Sequence, residues 1–191
     1  MQNIIKQLLE DSIYTKKETI NNLLPEIEKS AQLMIEAVKN KKKIFVCGNG
    51  GSAADAQHFV AELVVRFEKD RKAIPAIALT TNSSNLTAGA NDFSYEHVFK
   101  RQIEALGEGG DILVGITTSG NSSNIIQAFE IAKQKNMICI CLNGNEGGKV
   151  NNLNLNSSLI IPSLNTARIQ ETHITIIHIW CKLIEDVLFN D

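Results

Sequence analysis

Five short apolar runs recur along the chain, and most of them lead into a polar loop and then a segment with a helical pattern. They are "KIFVCG", "AIPAIAL", "DILVGI", "MICICLN" and "SSLIIPS", which begin at Lys43, Ala73, Asp111, Met137 and Ser157. Apolar runs of this length are typical of strands that are buried on both faces of a parallel sheet. Strands that alternate with helices indicate that helices cover both faces. We therefore predict an α/β fold built on one parallel sheet.

The segments around these runs supply the helices. Residues 1–40 carry two apolar stripes at helical spacing, which predict two N-terminal helices. Pro25 interrupts the second stripe and predicts a helix start or bend near it. The stretch Tyr95–Gly107 has a helical pattern that ends at glycine, a common C-cap. "NIIQAFEIAKQKN" and the terminal stretch Ala167–Phe189 are also helical in pattern. By contrast, the polar stretch "TTNSSNLTAGAND" predicts a loop.

Length and charge favour one globular domain that spans residues 1–191 and binds neither nucleic acid nor a membrane. A chain of 191 residues can bury one sizeable core, and its net charge of −2 argues against a nucleic-acid partner. The short basic run at Lys39–Lys43 is typical of a helix end. No apolar run approaches the roughly 20 residues that a membrane-spanning helix needs. Cys47, Cys139, Cys141 and Cys181 lie in apolar contexts, which favours free thiols in the cytoplasm.

Two glycine- and serine-rich loops follow the first and third apolar runs. The first is "GNGGSA", from Gly48 to Ala53, and the second is "TTSGNSS", from Thr117 to Ser123. Ligands of an open parallel sheet bind beyond the carboxyl ends of its strands, where helix N-termini attract anions. Neither loop has the pattern of a nucleoside-triphosphatase or of a dinucleotide-binding protein. Two interpretations follow: a phosphate site, or hydroxyl groups that merely cap helices.

A histidine and a glutamate lie one turn apart on the helix after the first loop. His58 and Glu62 at this spacing are suited to share a metal, to form a surface ion pair, or to serve one substrate. Gln170 and His178, on the terminal helix, lie within about 80° of each other around its axis. His178 stands in an apolar stretch and needs a partner, either in a site or at a backbone carbonyl. Asp92 is suited to contact sugar hydroxyls or to cap a helix.

Four motifs, in this order and at these separations, resemble those of the phosphoheptose isomerases of the sugar isomerase (SIS) family. They are "CGNGGSAADAQHFVAEL", "GAND", "GITTSGNSSN" and "ARIQETHITIIH". The resemblance implies a single SIS domain over residues 1–191 with a flavodoxin-like αβα sandwich. It also implies a homotetramer whose active sites lie at subunit interfaces. The two apolar stripes of the N-terminal helices, residues 1–40, are more than one small sheet can bury, so we expect these helices to pack in the oligomer.

The reaction implied by the resemblance is an aldose–ketose isomerisation of a sugar phosphate. Sedoheptulose 7-phosphate would become D-glycero-D-manno-heptose 7-phosphate, the first step towards activated heptoses for lipopolysaccharide, capsule or S-layer glycan. Glu62 and His178 are the implied acid/base pair. His58, Glu62, Gln170 and His178 are the implied ligands of one Zn²⁺ per subunit, and ligation leaves open whether Glu62 acts as a free base. The implied substrate contacts are Asn49, Gly50, Gly51, Ser52, Asn91 and Asp92 for the sugar, Thr117, Thr118, Ser119 and Ser122 for the phosphate, and also Glu62 and Gln170.

One departure from the family pattern raises an alternative. Many of these isomerases have an acidic residue at the position of Ala167. A catalytically silent SIS-family adaptor that binds a bacterial replication initiator shares "ARIQE" with this chain, but it lacks the glutamate and the second histidine. This chain keeps both, as Glu62 and His178, which favours the enzyme. A sugar-phosphate-sensing module of a regulator is a third reading, but it would call for a DNA-binding segment that the sequence does not display.

Overall fold

A five-stranded parallel sheet forms the centre of this computed structural model, which describes residues 1–189. The strands are β1 (Ile44–Gly48), β2 (Ala76–Ala78), β3 (Ile112–Ile116), β4 (Ile138–Asn143) and β5 (Ser157–Ile160). The helices are α1 (Gln2–Lys39), α2 (Gly51–Val64), α3 (Ser83–Asp92), α4 (Lys100–Leu106), α5 (Ser123–Gln134) and α6 (Thr166–Leu188). The strand order is β2-β1-β3-β4-β5, and every neighbouring pair is parallel. This order confirms the predicted flavodoxin-like α/β fold.

Alternate side chains of the strands face opposite sides of the sheet and divide the core in two. The row Val46, Val114 and Ile140, in register across three strands, packs against α1, α2 and α6. The neighbouring residues Phe45 and Leu113 pack against α4 and α5 on the other side. The sheet is therefore covered on both faces, as its continuous apolar strands predict.

The cysteines are buried and unpaired, as the sequence predicts. Burial raises the pKa of all four thiols above its ordinary value, so none is a reactive thiolate at neutral pH. Among residues 1–189, no helix is long and apolar enough to cross a bilayer.

The N-terminal region is one helix, which corrects the prediction of two. α1 runs unbroken through Pro25, although a proline inside a helix cannot donate to the carbonyl four residues earlier, here that of Asn21. Asn21 and Pro25 both lie on the exposed side of α1, where water can hydrate this carbonyl. Further along, α1 is held against α6, because Trp180 Nε1 donates a hydrogen bond to Ile27 O at 3.1 Å.

The polar stretch after β2 is a helix, which corrects the prediction of a loop. α3 has no buried residue, so no apolar periodicity marks it in the sequence. Its N-cap Asn82 accepts a hydrogen bond from Asn85 N at 3.0 Å. The helix predicted over Tyr95–Gly107 is divided: a 3-10 turn, Tyr95–His97, precedes α4, and Gly107 is the C-cap. β2 is only three residues long and forms one edge of the sheet.

His173 lies in the core and should make the fold sensitive to acid. Its Nε2 lies 3.0 Å from Asn143 O, and its Nδ1 has no partner among the described residues. Burial lowers the pKa of His173 from 6.5 to about 4, although the hydrogen bond with Asn143 opposes this. Between these two values the unfolded chain binds the proton more tightly, so stability is lost as the pH falls from about 6.5 towards 4. We expect this group to lower the free energy of unfolding by about 2 kcal/mol between pH 7 and pH 5.

Urea unfolding at the two pH values measures this loss. In His173→Gln the loss should shrink, because glutamine does not titrate in this range. His97→Gln is the matched control, because His97 contacts the Ser94 hydroxyl at 2.9 Å in a half-buried position. An equal pH dependence in His173→Gln and the wild type would contradict the assignment.

Candidate active site

The two glycine- and serine-rich loops lie side by side at one edge of the sheet. The first follows β1 and the second, residues 117–122, follows β3, and these two strands are neighbours. α2 then packs on one face of the sheet and α5 on the other. The crevice between the loops is therefore the point where the strand order reverses, which is where open α/β sheets bind ligands.

The helices that follow these loops begin without a side-chain cap. Gly50 and Ser122 are the N-cap residues of α2 and α5, and neither supplies a capping hydrogen bond. In α3 and α6, by contrast, the N-cap residues Asn82 and Asn165 accept hydrogen bonds from the first turn. Uncapped first turns leave N–H groups and the positive end of the helix dipole available to an anion. This difference favours a phosphate site over hydroxyls that merely cap helices.

Hydroxyl groups line the second loop. The buried Thr117 accepts a hydrogen bond from Gly120 N at 3.2 Å, and its Oγ1 lies 3.3 Å from Ser122 Oγ. Ser119 Oγ accepts a hydrogen bond from a backbone N–H of the same loop at 3.2 Å. Thr118 and Ser119 are half-buried. The hydroxyls of Ser119 and Ser122 can still donate to an anion, so the loop suits a phosphate.

The loop after β4 braces this hydroxyl loop through direct backbone contact. Gly120 has φ +65°, and a Cβ at this position would lie 2.0 Å from Gly147 O. Gly147 O in turn accepts a hydrogen bond from Asn143 Nδ2 at 2.8 Å, and Val150 N donates to Gly120 O at 2.9 Å. No residue type other than glycine fits position 120, because the φ is positive and the space for a Cβ is taken by Gly147 O.

Asn49 is tied to the second loop through Asn124. Asn49 Nδ2 donates to Asn124 Oδ1 at 2.9 Å, and Asn124 Nδ2 donates back to Asn49 Oδ1 at 2.8 Å. Tyr95 OH also donates to Asn49 Oδ1, at 3.1 Å. Asn124 is only 3% exposed, so a buried amide at the start of α5 orients Asn49. The sequence does not point to Asn124 or Tyr95, because these contacts join segments that are 75 and 46 residues apart in the chain.

His58, Glu62 and His178 meet between α2 and α6. His58 Nε2 lies 3.0 Å from Glu62 Oε1 and 3.4 Å from His178 Nε2. The side chains of His58 and Glu62 are 43% and 22% exposed, so a ligand can reach them. Phe67 stacks on the His178 ring with centroids 5.6 Å apart. The sequence left open that His178 is a core histidine bonded to a backbone carbonyl. The structure shows that arrangement for His173, whereas His178 contacts His58.

Gln170 brings α6 to the first loop. A Cβ at Gly51 would lie 2.6 Å from Gln170 Nε2, so the amide covers the start of α2. Ser52, the next residue of α2, is buried with 3% exposure. Gln170 and His178 therefore both face α2, as their spacing on the terminal helix predicts.

Asn91 and Asp92 are not joined to this cluster within the chain. Both are exposed at the C-terminal end of α3, where Asn91 Nδ2 donates to Asp92 Oδ1 at 2.8 Å. Asp92 lines an open cavity of about 350 Å³ between α3 and α4. In the part of the chain that the structure describes, no hydrogen bond links either residue to His58, Glu62 or His178.

The cluster suits zinc in its donor types, although its arrangement is not that of a closed metal site. Within residues 1–189, no group of three or more His, Cys, Asp or Glu side chains could hold a metal ion as it stands. The two imidazole nitrogens of His58 and His178 are 3.4 Å apart. Two nitrogen ligands of a tetrahedral zinc ion are separated by about 3.3 Å, for bonds of about 2.05 Å. Glu62, at 3.0 Å from His58 Nε2, is at a hydrogen-bond distance and would have to shift to ligate.

Asp55 is a further residue that the sequence analysis missed. It lies one turn before His58 on α2, and its Oδ2 is buried without a partner among the described residues. Burial raises the pKa of this carboxyl, and His58 opposes that effect. A spacing of three residues from His58 is the one sequence feature that could have pointed to it.

Known proteins share both the sequence and the fold of this chain. The model of the SIS domain family matches residues 8–144. The phosphoheptose isomerase of Campylobacter jejuni is 53% identical over 161 residues, which cover 84% of this chain and 86% of that protein. The phosphoheptose isomerase of Halorhodospira halophila is 49% identical over 97% of this chain and 95% of its own length. A solved structure of a phosphoheptose isomerase from Francisella tularensis has a TM-score of 0.94 and 42% identity, covering 97% of this chain and 98% of its own.

Proposed function

The chain belongs to the SIS domain family and, within it, to the phosphoheptose isomerases, and we propose that it interconverts sedoheptulose 7-phosphate and D-glycero-D-manno-heptose 7-phosphate. It is an isomerase whose substrate is a sugar phosphate. One observation carries the proposal: on the helix that begins at the crevice between the two loops, Glu62 lies 3.0 Å from His58, which in turn lies 3.4 Å from His178 of α6. Carboxylate and imidazole groups are the usual carriers of protons in enzymes.

The reaction moves a hydrogen from C1 to C2 of the sugar. A base removes a proton from C1 of the ketose, and the electrons of that bond form the C1–C2 double bond of an enediolate. A proton then returns to C2, and the hydroxyl proton passes from the C1 oxygen to the C2 oxygen, which leaves an aldehyde at C1. The enzyme must therefore supply an acid, a base and an anchor for the distal phosphate.

Glu62 and His178 supply the acid and the base in this proposal. His58 supports the Glu62 carboxylate through its contact at 3.0 Å, and Phe67 supports the His178 ring by stacking on it. The phosphate binds to Thr117, Thr118, Ser119 and Ser122. The sugar binds to Asn49, Gly50, Gly51, Ser52, Asn91, Asp92 and Gln170.

Incubation with sedoheptulose 7-phosphate tests the function directly. We expect the ¹H NMR signals of the aldose anomers to appear until a fixed ratio of aldose to ketose is reached. Starting from the aldose should give the same ratio. Absence of turnover, both with and without added zinc, would overturn the proposal.

We also propose one zinc ion per subunit, held by His58, Glu62, Gln170 and His178. Support comes from the donor types, two imidazoles and one carboxylate, and from the separation of the two ring nitrogens. Bound there, zinc would polarise the substrate oxygens and stabilise negative charge on them. Gln170 is a weaker donor, so we expect moderate affinity. Zinc content after dialysis against a chelator and reconstitution tests this, and a chain that binds no zinc would refute it.

A homotetramer is the proposed assembly. The first two thirds of α1 expose a row of large apolar side chains, which are between 46% and 65% exposed. They are Ile4, Ile5, Leu8, Leu9, Ile13, Ile20 and Leu24. Exposed apolar surface on this scale is typical of an interface, and a helical bundle at the centre of a tetramer would cover it. Sedimentation at micromolar concentration tests the assembly, and a monomer would contradict it.

The proposed setting is the cytoplasm, at the start of a route to activated heptoses for lipopolysaccharide or capsule. The four unpaired thiols support a reducing compartment. Deletion of the gene should remove heptose from the surface glycan. A wild-type copy should restore it, and a Glu62→Gln copy should not.

The double variant Ser119→Ala with Ser122→Ala should raise KM for the sugar phosphate by at least about 100-fold. Each hydroxyl that donates to a charged group contributes about 1.5–3 kcal/mol. Steady-state kinetics with sedoheptulose 7-phosphate measure the change, and circular dichroism checks the fold. Ser123→Ala is the matched control, because Ser123 is exposed at the first position of α5. An unchanged KM in the double variant would remove this loop from the site.

A further inference from the structure

A buried ion pair behind the cluster of His58, Glu62 and His178 has no part in the proposed chemistry. The side chains of Arg71 and Glu185 are 2% and 1% exposed, and Arg71 Nε donates to Glu185 Oε1 at 3.0 Å. The same carboxylate accepts hydrogen bonds from three consecutive backbone N–H groups, of Phe67, Glu68 and Lys69, each at 3.0 Å. Burial alone would raise the pKa of Glu185, but these bonds and Arg71 hold it below its ordinary value. The group is therefore a carboxylate at neutral pH.

Arg71 also reaches back to the end of α2. Its Nη1 donates to Leu63 O at 2.7 Å, and its Nη2 donates to Glu62 O at 2.6 Å. α2 ends at Val64, so these carbonyls belong to its last turn, which lacks intrahelical donors. Arg71 therefore holds the backbone of Glu62 itself.

Glu185 acts in the same way on the environment of His178. The two residues are seven positions apart on α6, so they lie on nearly the same side of the helix. Glu185 holds the backbone N–H of Phe67, and the Phe67 ring stacks on the His178 ring at 5.6 Å with an interplanar angle of 27°. One partner of the ion pair thus holds Glu62, and the other holds the ring that packs on His178.

We propose that Arg71 and Glu185 are a positioning pair that sets α2 against α6 and thereby sets Glu62 against His178. The inference rests on the proposed function for the roles of Glu62 and His178. Among the hydrogen bonds of the described residues, none joins the pair to the second glycine- and serine-rich loop, residues 117–122. The pair should therefore govern kcat and leave KM nearly unchanged. A pair that only stabilised the fold would be replaceable by apolar residues without loss of activity.

Two variants separate positioning from stability. Arg71→Lys keeps the charge that faces Glu185, but a single ammonium group lacks the planar fork that reaches both carbonyls of α2. We expect its kcat to fall about 100-fold and its KM to stay within about twofold, as for a misplaced catalytic group. The double variant Arg71→Met with Glu185→Leu leaves no unpaired buried charge, so it should fold and show the same loss of kcat. Asp186→Asn is the control, because Asp186 is a partly exposed neighbour on α6 that pairs with Lys182.

A wild-type kcat in the double variant, or in Arg71→Lys, would overturn the inference. An NMR measurement keeps it separate from the proposed function. The chain has four histidines, and the Hε1 signal of His178 should be shifted by the ring of Phe67. We expect this signal to move in Arg71→Lys and to stay in place in Asp186→Asn. If the wild-type protein did not turn over the sugar phosphate, the proposed function would be refuted and the positioning of His178 would still be testable by NMR. An unmoved His178 signal in Arg71→Lys would overturn the inference whether or not the protein is active.

Discussion

Glutamine in place of Glu62 should lower kcat for sedoheptulose 7-phosphate by about 100- to 10,000-fold, the usual contribution of an acid/base group. Glutamine preserves the size of the side chain but can neither accept a proton from C1 nor carry negative charge. His178→Gln should have an effect of the same order, because it removes the other member of the pair. Aldose formation followed by NMR measures both losses. His97→Gln should keep its rate, because His97 contacts Ser94 and stands outside the cluster.

Zinc content separates the two possible roles of Glu62. If the carboxylate acts only as a base, Glu62→Gln should bind as much zinc as the wild type. If it ligates, the zinc content should fall together with the rate. Near wild-type rates in both Glu62→Gln and His178→Gln would refute the site, and the adaptor interpretation would then be favoured over the enzyme.

Alanine in place of Gly120 should cost more than about 3 kcal/mol in the free energy of unfolding, since a backbone clash is added to the strain of a positive φ, and it should raise KM at least about tenfold. The added Cβ would lie 2.0 Å from Gly147 O and 2.9 Å from Gly148 N, which are backbone atoms and cannot swing aside as a side chain can. Relief of the clash would separate residues 117–122 from the loop after β4 and break the hydrogen bond from Val150 N to Gly120 O. The phosphate loop would lose its shape.

Urea unfolding and steady-state kinetics measure these two effects. Gly50→Ala is the matched control for stability, because Gly50 also has a positive φ, +56°, but a Cβ there has no atom within 4 Å. It should cost only the backbone strain of an alanine at φ +56° and ψ −122°, about 1–3 kcal/mol, without any steric clash. Equal losses in the two variants would show that the contact with Gly147 is unimportant.

The sheet could be predicted from the sequence because each strand is an uninterrupted apolar run. The same rule fails for α3, whose side chains are all at least partly exposed and therefore show no apolar period. The rule that proline interrupts a helix also fails at Pro25. It takes no account of which side of α1 faces water, where the carbonyl without a donor can be hydrated. Patterns of burial are read well from sequence, whereas elements that bury little are not.

The site divides in a similar way. The pair His58 and Glu62 follows from a spacing of four residues on one helix. The contact of His58 with His178 depends on the docking of α6 against α2, which no local pattern encodes. Asn124, which orients Asn49 across 75 residues of sequence, was missed for that reason. The resemblance to a known family named most of the remaining contacts, but the structure leaves Asn91 and Asp92 without a link to the cluster among the described residues.

The packing of α1 against α6 has a consequence for synthesis on the ribosome. Leu8 O and Ile27 O accept hydrogen bonds from Arg168 and Trp180, which follow them by 160 and 153 residues. At about 5–20 residues per second, α1 leaves the ribosome roughly 10–30 s before its partner exists. Its apolar face is open to chaperones and to other nascent chains during that interval. The cleft between α2 and α6 forms only when the late helix docks, so a growing chain cannot begin turnover before most of its length has been translated.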